Sequence, residues 1–223
     1  MNRVQAHLLS EPDVIRLVEA YGIPYPGFGV ARSDEEAARI AEELGYPVVL
    51  KVVSADVVHK SDVGGVEVGL SDAESVRAAY WRILNSVSDR VPSATIDGLL
   101  VCEEAPPGLE VIIGGLEDEL FGPTVMFGMG GVFVELFRDV VFRVAPLERR
   151  DVEEMIREVQ AYRLLVGARG EEARDIGALV DALVSVAQLM VEHRDIAELD
   201  LNPVRLHRNG LLVLDARAVK RGP

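Results

Sequence analysis

The spacing of apolar and polar residues changes character partway along the chain. Ser10 is placed to cap a helix running to about Tyr21, with Pro12 in its first turn and Gly22 just past its end. Ser33-Asp34-Glu35-Glu36 forms a capping box and opens a helix that stops at Gly45. Pro47 to Val53 reads as a buried strand, Ser54 to Asp62 as a polar loop and Gly64 to Leu70 as a return strand, giving a hairpin with a long mobile tip. Ser71-Asp72-Ala73-Glu74, a second capping box, starts a helix reaching to about Ser88. From Ile96 short apolar runs follow one another and predict strands at Leu99–Cys102, Leu109–Ile113, Pro123–Phe127, Val132–Phe137 and Val140–Val144. Helices resume at Leu147–Val159 and Glu171–His193, and a hairpin closes the chain. This order is α+β (mixed α/β), not a strict βαβ repeat. A lobe boundary is expected near Glu103 to Gly108, where a strand runs into Pro106-Pro107-Gly108.

The terminal hairpin carries the densest chemistry. In E-L-D-L-N-P-V, Asp200 and Asn202 are two apart and point to one face of a strand. A two-residue turn on Asn209-Gly210 pairs Arg208 with Leu211 and sets Val204 opposite Asp215. Asp215 then lies on the face of Asp200 and Asn202, diagonal to Asn202. Three oxygen-bearing side chains suit a magnesium ion that keeps places for water and phosphates; a solvated face of an edge hairpin gives the same alternation.

Composition narrows the field. A chain of 223 residues with 49% hydrophobic content can bury a real core, and its net charge of -14 argues against nucleic acid as a partner. The lone Cys102 forms no internal disulfide and fits a reducing compartment. No signal peptide or membrane-spanning run is visible, so a cytoplasmic protein is expected. Of 23 basic residues only Lys51, Lys60 and Lys220 are lysines. Two of them fall in one segment, where a compact point charge is useful.

Further candidates lie upstream. Lys51 is a single cation in an apolar strand; its stem can snorkel outward, or its ammonium can meet phosphate oxygens in a cleft. His59-Lys60-Ser61-Asp62 precedes Gly64-Gly65, whose N–H groups could approach a phosphate. Gly128, Gly130 and Gly131 form a second glycine-rich turn, either an anion site or simply a tight turn. Arg143 is another lone cation in a strand, with Glu135 and Asp139 as local ion-pair partners. Glu110, in L-E-V-I-I, could hold ribose hydroxyls or join a salt bridge. There is no Walker A loop, no G-x-G-x-x-G after a strand, no zinc spacing and no G-x-S-x-G.

Taken in order, P-V-V-L-K-V-V-S, H-K-S-D-V-G-G-V, G-L-E-V-I-I-G, F-G-P-T-V-M-F-G-M-G-G-V-F-V-E, L-D-L-N-P-V and L-D-A-R resemble the ATP-grasp fold. The resemblance is nearer to the β subunit of ADP-forming acetyl-CoA synthetase (acetate–CoA ligase, ADP-forming), a relative of the succinyl-CoA synthetase β subunit. It covers Tyr21 to Arg217, and the length is that of a free-standing β subunit. It implies a single ATP-grasp domain over 1–223, two lobes clasping a nucleotide. The smaller lobe would span about 20–102, and the larger about 103–223 plus the N-terminal helix.

The same resemblance implies roles. Lys51, with Ser54, Gly64 and Gly65 nearby, would serve the nucleotide phosphates. Glu103, Glu104 and Ala105 would be the hinge facing adenine, and Glu110 would bind ribose. Asn202 and Asp215 would ligate Mg²⁺ with Asp200 nearby. His59 would act in a phosphohistidine relay, and Gly128, Gly130, Gly131 and Arg143 would line a phosphate-side pocket. Where the family often has Gln and Met at the hinge, this chain has Glu103 and Ala105, which could relax base preference. The implied cofactors are ATP/ADP and Mg²⁺. The implied partner is an α subunit carrying the CoA- and acid-binding site, in an α2β2 heterotetramer. Two other readings are a free-standing ATP-grasp carboxylate–amine ligase, for which His59 would be dispensable, and a non-catalytic nucleotide-binding regulatory subunit. His59 beside Lys60 favours the synthetase.

Overall fold

The computed structural model describes residues 7–57, 59–131, 139–167 and 172–222. In chain order its elements are β1 (His7–Leu8), α1 (Glu11–Ala20), β2 (Phe28–Ala31), α2 (Asp34–Leu44), β3 (Val48–Val53), β4 (Val66–Leu70), α3 (Ala73–Arg90), β5 (Gly98–Glu103), β6 (Leu109–Asp118), β7 (Gly122–Met129), β8 (Val140–Val144), α4 (Arg149–Glu158), α5 (Tyr162–Leu165), α6 (Ile176–Glu192), β9 (Ile196–Leu206), β10 (Leu211–Val213) and β11 (Ala216–Lys220). The strand expected at Val132–Phe137, and Glu135 with it, lies outside the described residues. The chain divides into two compact units, Pro26–Pro106 and Met1–Tyr25 with Pro107–Pro223. The division falls between Pro106 and Pro107, inside the Glu103–Gly108 stretch.

In the smaller unit an antiparallel sheet of order β2-β5-β3-β4 is covered on one face by α2 and α3. The capping signals explain the helices. Ser33 accepts the Glu36 N–H at 3.2 Å, and Gly45 ends α2 at φ 91. The cap of α3 is Asp72, one residue later than expected. Its carboxylate accepts the Ser75 N–H at 2.7 Å, and the Ser75 hydroxyl accepts the Asp72 N–H at 3.2 Å. Pairing of Leu70 with Val48 keeps the chain extended past Leu70, which delays the helix. Ile40, Leu50, Val52, Val76, Ile83, Leu99 and Val101 form the core on this face. Each such side chain contributes on the order of 1.5–3 kcal/mol. Strand β2 carries too little apolar pattern to be read from sequence. Gly29 sits there because Ile40 packs over it, and an added Cβ would lie 2.9 Å from Ile40 Cγ2.

The larger unit holds a seven-stranded sheet of order β1-β11-β9-β6-β7-β8, with β10 also pairing β9. Helices α1, α4 and α6 pack on one face. The helix side is marked by Ile113, Phe127, Leu199 and Leu201, all essentially fully buried. On this side Gly115 clears Met190 of α6, whose Cγ and Sδ would stand 2.6 Å from an added Cβ. Among the described residues no helix is long and apolar enough to cross a membrane.

The closing hairpin differs in register from the sequence reading. Leu211 pairs Leu206 and Val213 pairs Val204, and the His207 N–H donates to the Gly210 carbonyl at 3.0 Å. The turn therefore centres on Arg208-Asn209, and Val204 is not opposite Asp215. Asp175, the cap of α6, explains the shift. Its N–H donates to the His207 carbonyl at 2.9 Å, and its carboxylate accepts the Gly210 N–H at 2.8 Å. A residue far away in sequence thus supplies the hydrogen bonds that a free hairpin would make to itself.

Candidate functional site

The displaced register leaves side-chain parity intact, because the slip is of two residues. Asn202 is now directly opposite Asp215: its N–H donates to the Asp215 carbonyl at 3.1 Å. Asp200 pairs with Arg217, two residues along, so Asp200, Asn202 and Asp215 share the face turned away from the helices. The position of Asp215 is fixed from behind. The Leu214 N–H donates to the Pro203 carbonyl at 2.9 Å, and the Tyr25 hydroxyl donates to the Leu214 carbonyl at 3.0 Å.

Burial raises the Asp200 carboxyl pKa to about 6, with Glu198 and Asp215 adding to the rise and Arg217 opposing it. A cation set among these oxygens would favour the ionised carboxylate and so offset the rise. The donors are hard oxygens, which suits Mg²⁺. Among the described residues no group of three or more His, Cys, Asp or Glu side chains is gathered closely enough to hold an ion alone.

On the neighbouring strand Glu110 stands opposite Arg205. Arg205 Nη2 donates to Glu110 Oε1 at 2.9 Å. The glycine turn supports this residue: the Gly130 N–H donates to the Glu110 carbonyl at 2.8 Å. Gly128 is a ladder residue between Ile112 and Val140, and Gly131 adopts φ 60 with open space around it. The Gly130 N–H is thus engaged within the sheet rather than turned outward for an anion. What Gly130 supplies is close approach, since an added Cβ would lie 2.9 Å from the Glu110 backbone.

In the smaller unit Lys51 is buried on β3, between Val66 and Leu100, on the face opposite the α2–α3 core. Ser54 follows the strand, and its hydroxyl accepts the Asp56 N–H at 3.2 Å. His59 is exposed, and its carbonyl accepts the Asp62 N–H at 3.2 Å in a single 3-10 turn, Ser61–Val63. The paired glycines fold this loop back on β3. The Gly64 N–H donates to Ser61 and the Gly65 N–H to Lys60, so the expected open cradle is closed on the loop itself. Gly65 is needed because Val52 and the Lys60 carbonyl leave no room for a Cβ.

Two further expectations are adjusted. The Glu103 carboxylate accepts the Gly27 N–H at 2.9 Å, and the Glu104 carboxylate accepts the Gly69 N–H at 2.8 Å. These side chains bind the two flanks of their own sheet, and Ala105 beyond them is buried. Arg143 pairs Val125, a helix-side residue, and its guanidinium meets Glu158 of α4. Strand alternation therefore takes Arg143 away from the carboxylate face. Of the two local partners considered for it, Glu135 lies outside the described residues, and Asp139 accepts the Gln160 and Ala161 N–H groups at 2.8 and 2.9 Å. Glu198, Arg205 and Arg217 share the site face and were not singled out from sequence. Period-two counting back from Asp200 reaches Glu198; the two arginines needed the cross-strand register.

An ATP-grasp domain model matches residues 1–219, so the chain belongs to the ATP-grasp family, among the β subunits of ADP-forming acetate–CoA ligases. The acetate–CoA ligase [ADP-forming] I subunit beta of Pyrococcus furiosus is 44% identical over 95% of this chain and 91% of that protein. Acetate–CoA ligase [ADP-forming] I of Archaeoglobus fulgidus is 50% identical over 91% of this chain, which spans only 30% of that longer protein. A solved acetyl-coenzyme A synthetase 1 of Ca. Korarchaeum cryptofilum, in complex with coenzyme A, Ca-AMPCP and HgCl+, superposes with a TM-score of 0.94 at 55% identity, covering 96% of this chain and 93% of that one. The same protein has been solved with coenzyme A and Mg-AMPPCP, its phosphohistidine segment pointing towards the nucleotide binding site, and superposes with a TM-score of 0.84 at 51% identity, covering 96% of this chain and 93% of that one.

Proposed function

We propose that this chain is the nucleotide-binding β subunit of an ADP-forming acyl-CoA synthetase. The reaction is acyl-CoA + ADP + phosphate ⇌ carboxylic acid + CoA + ATP, with the phosphoryl group relayed through histidine. The observation that carries the reading is the oxygen face of Asp200, Asn202 and Asp215, where burial and the neighbouring Glu198 and Asp215 raise the Asp200 pKa to about 6. The relatives' magnesium nucleotide and phosphohistidine segment support it.

Phosphoryl transfer asks a protein mainly for positioning and charge neutralisation. Asp215 and Asn202 would hold Mg²⁺, with Asp200 beside them. The ion, when bound, would neutralise the phosphate oxygens. Lys51 would neutralise further phosphate charge, and Glu110 would accept from ribose hydroxyls. The main chain at Glu104 and Ala105 would meet the adenine, since both glutamate side chains are engaged elsewhere. His59 would act beside a phosphorylated histidine of the partner. An imidazole can act as a phosphoryl acceptor, and this one is exposed on its loop.

The partner in this reading is an α subunit with the CoA- and acid-binding site, assembled as a cytoplasmic α2β2 heterotetramer. A relative covered over 91% of its own length is named a subunit beta, which supports a separate partner. Incubation with ATP and Mg²⁺, with the α subunit present, should leave acid-labile phosphate on His59 that His59→Ala lacks. A wild-type complex that never labels at His59 sinks the relay role.

A further inference from the structure

We infer that Arg205 is a positioning residue that fixes Glu110 for the nucleotide's ribose, making the site selective for ribonucleotides over deoxyribonucleotides. The inference rests on the reading that Glu110 faces the ribose.

The pair is built with more care than strand pairing requires. Strands β6 and β9 are already tied by the ladder from Leu109–Leu206 through Val111–Val204. The side chains of Arg205 and Glu110 are 24% and 38% exposed, a setting in which an ion pair adds little to stability. Yet two glycines make room for it. At Gly108 an added Cβ would lie 2.7 Å from Arg205 Cγ, 2.9 Å from the Leu206 carbonyl oxygen and 3.0 Å from His207 Nδ1, so the arginine stem packs closely against that backbone. At Gly130 an added Cβ would lie 2.9 Å from the Glu110 carbonyl and 3.1 Å from its Cβ. The Glu110 main chain is held in turn by the Gly130 N–H.

The chemistry follows from the donor and acceptor inventory. A carboxylate only accepts, and a ribose hydroxyl can donate to it. Arg205 occupies Oε1, which fixes the rotation of the carboxylate and leaves Oε2 to accept from a hydroxyl. Without the guanidinium, Glu110 would rotate freely and order only on binding, which weakens the ribose contact without removing it. A lysine keeps the charge but lacks the planar fork.

Calorimetric titration of the wild-type chain with Mg²⁺ and ADP, 2′-deoxy-ADP or 3′-deoxy-ADP tests this. ADP is expected to bind roughly tenfold or more tightly than at least one deoxy analogue, because a site built to pair a hydroxyl penalises its loss. Arg205→Gln should reduce that ratio to about threefold or less by weakening ADP while leaving the deoxy analogue nearly unchanged, with Arg205→Lys between the two. Glu110→Gln should collapse the ratio, and adding Arg205→Gln to it should change nothing further. A generalised structural role would weaken all three nucleotides together and would not move the ratio. Arg205→Lys keeps the test open should Arg205→Gln fold poorly. If Glu110→Gln collapses the ratio but Arg205→Gln retains it, the positioning role is overturned while the ribose reading stands. If the wild type does not discriminate, or Glu110→Gln still does, the ribose reading fails and this inference with it.

Discussion

Asn202 and Asp215 face each other across the last strands of the sheet, joined through main chain, the Asn202 N–H donating to the Asp215 carbonyl at 3.1 Å. That bond involves neither side chain. Asp215→Ala should leave the fold intact and remove the Mg²⁺ dependence of nucleotide binding, abolishing turnover in the assembled enzyme. Calorimetry with ADP, with and without Mg²⁺, checks this; normal Mg²⁺-dependent binding in the variant would reject the metal assignment.

Asp200 should make the metal-free protein less stable as pH rises. Its folded-state pKa, about 6, lies above the ordinary 3.8, so the folded state holds the proton more tightly. Stability then falls as pH climbs from about 4 to 6, and the full penalty is present above that window. Asp200→Asn removes the penalty and should stabilise the metal-free chain at pH 8 by on the order of 1–2 kcal/mol. The gain should vanish at pH 4. Thermal melts in EDTA at the two pH values measure it, and equal melting at pH 8 would contradict the buried-charge account.

Asp175 joins the start of α6 to the hairpin turn. Its carboxylate accepts the Ala178 N–H at 2.9 Å and the Gly210 N–H at 2.8 Å, and these two donors hold its pKa below the ordinary value. The stabilisation is present above the unfolded-state pKa and is lost as pH falls through the lower folded one. Asp175→Ala should cost about 1–2 kcal/mol in urea denaturation at pH 7. It should also loosen the turn, seen as faster amide exchange at Gly210.

Gly130 and Gly131 should respond differently to alanine. Gly130→Ala pushes a methyl into the Glu110 backbone and should cost about 1–3 kcal/mol, with weaker ADP binding because Glu110 moves. Gly131 has open space but φ 60, so alanine there should cost only about 1 kcal/mol and spare the affinity. Melting temperatures and ADP titrations of the two variants give the ordering; a larger effect at Gly131 would argue against close approach as the reason for Gly130.

Much of the architecture could be read from local rules. Ser10, Ser33 and Gly45 marked the ends of α1 and α2 because a cap or a left-handed terminus uses only neighbouring residues. Asp200 and Asn202 were placed on one face by strand alternation, which also needs no partner. Strand β2 escaped because two of its four residues give no apolar contrast, and it exists through pairing with β5. The role of Arg143 went astray for a related reason: an apolar run shows that a cation is unusual, not which side of the sheet it faces.

What the chain determined by itself were its longer helices, most of its strands, and the polar face of E-L-D-L-N, since period and capping are short-range properties. Tertiary structure decided the pairing of Asn202 with Asp215, because Asp175 reaches in from α6 and resets the hairpin turn. It also set the proton affinity of Asp200 and the meeting of Glu110 with Arg205. Both depend on burial and on charges from other strands, which no stretch of sequence contains.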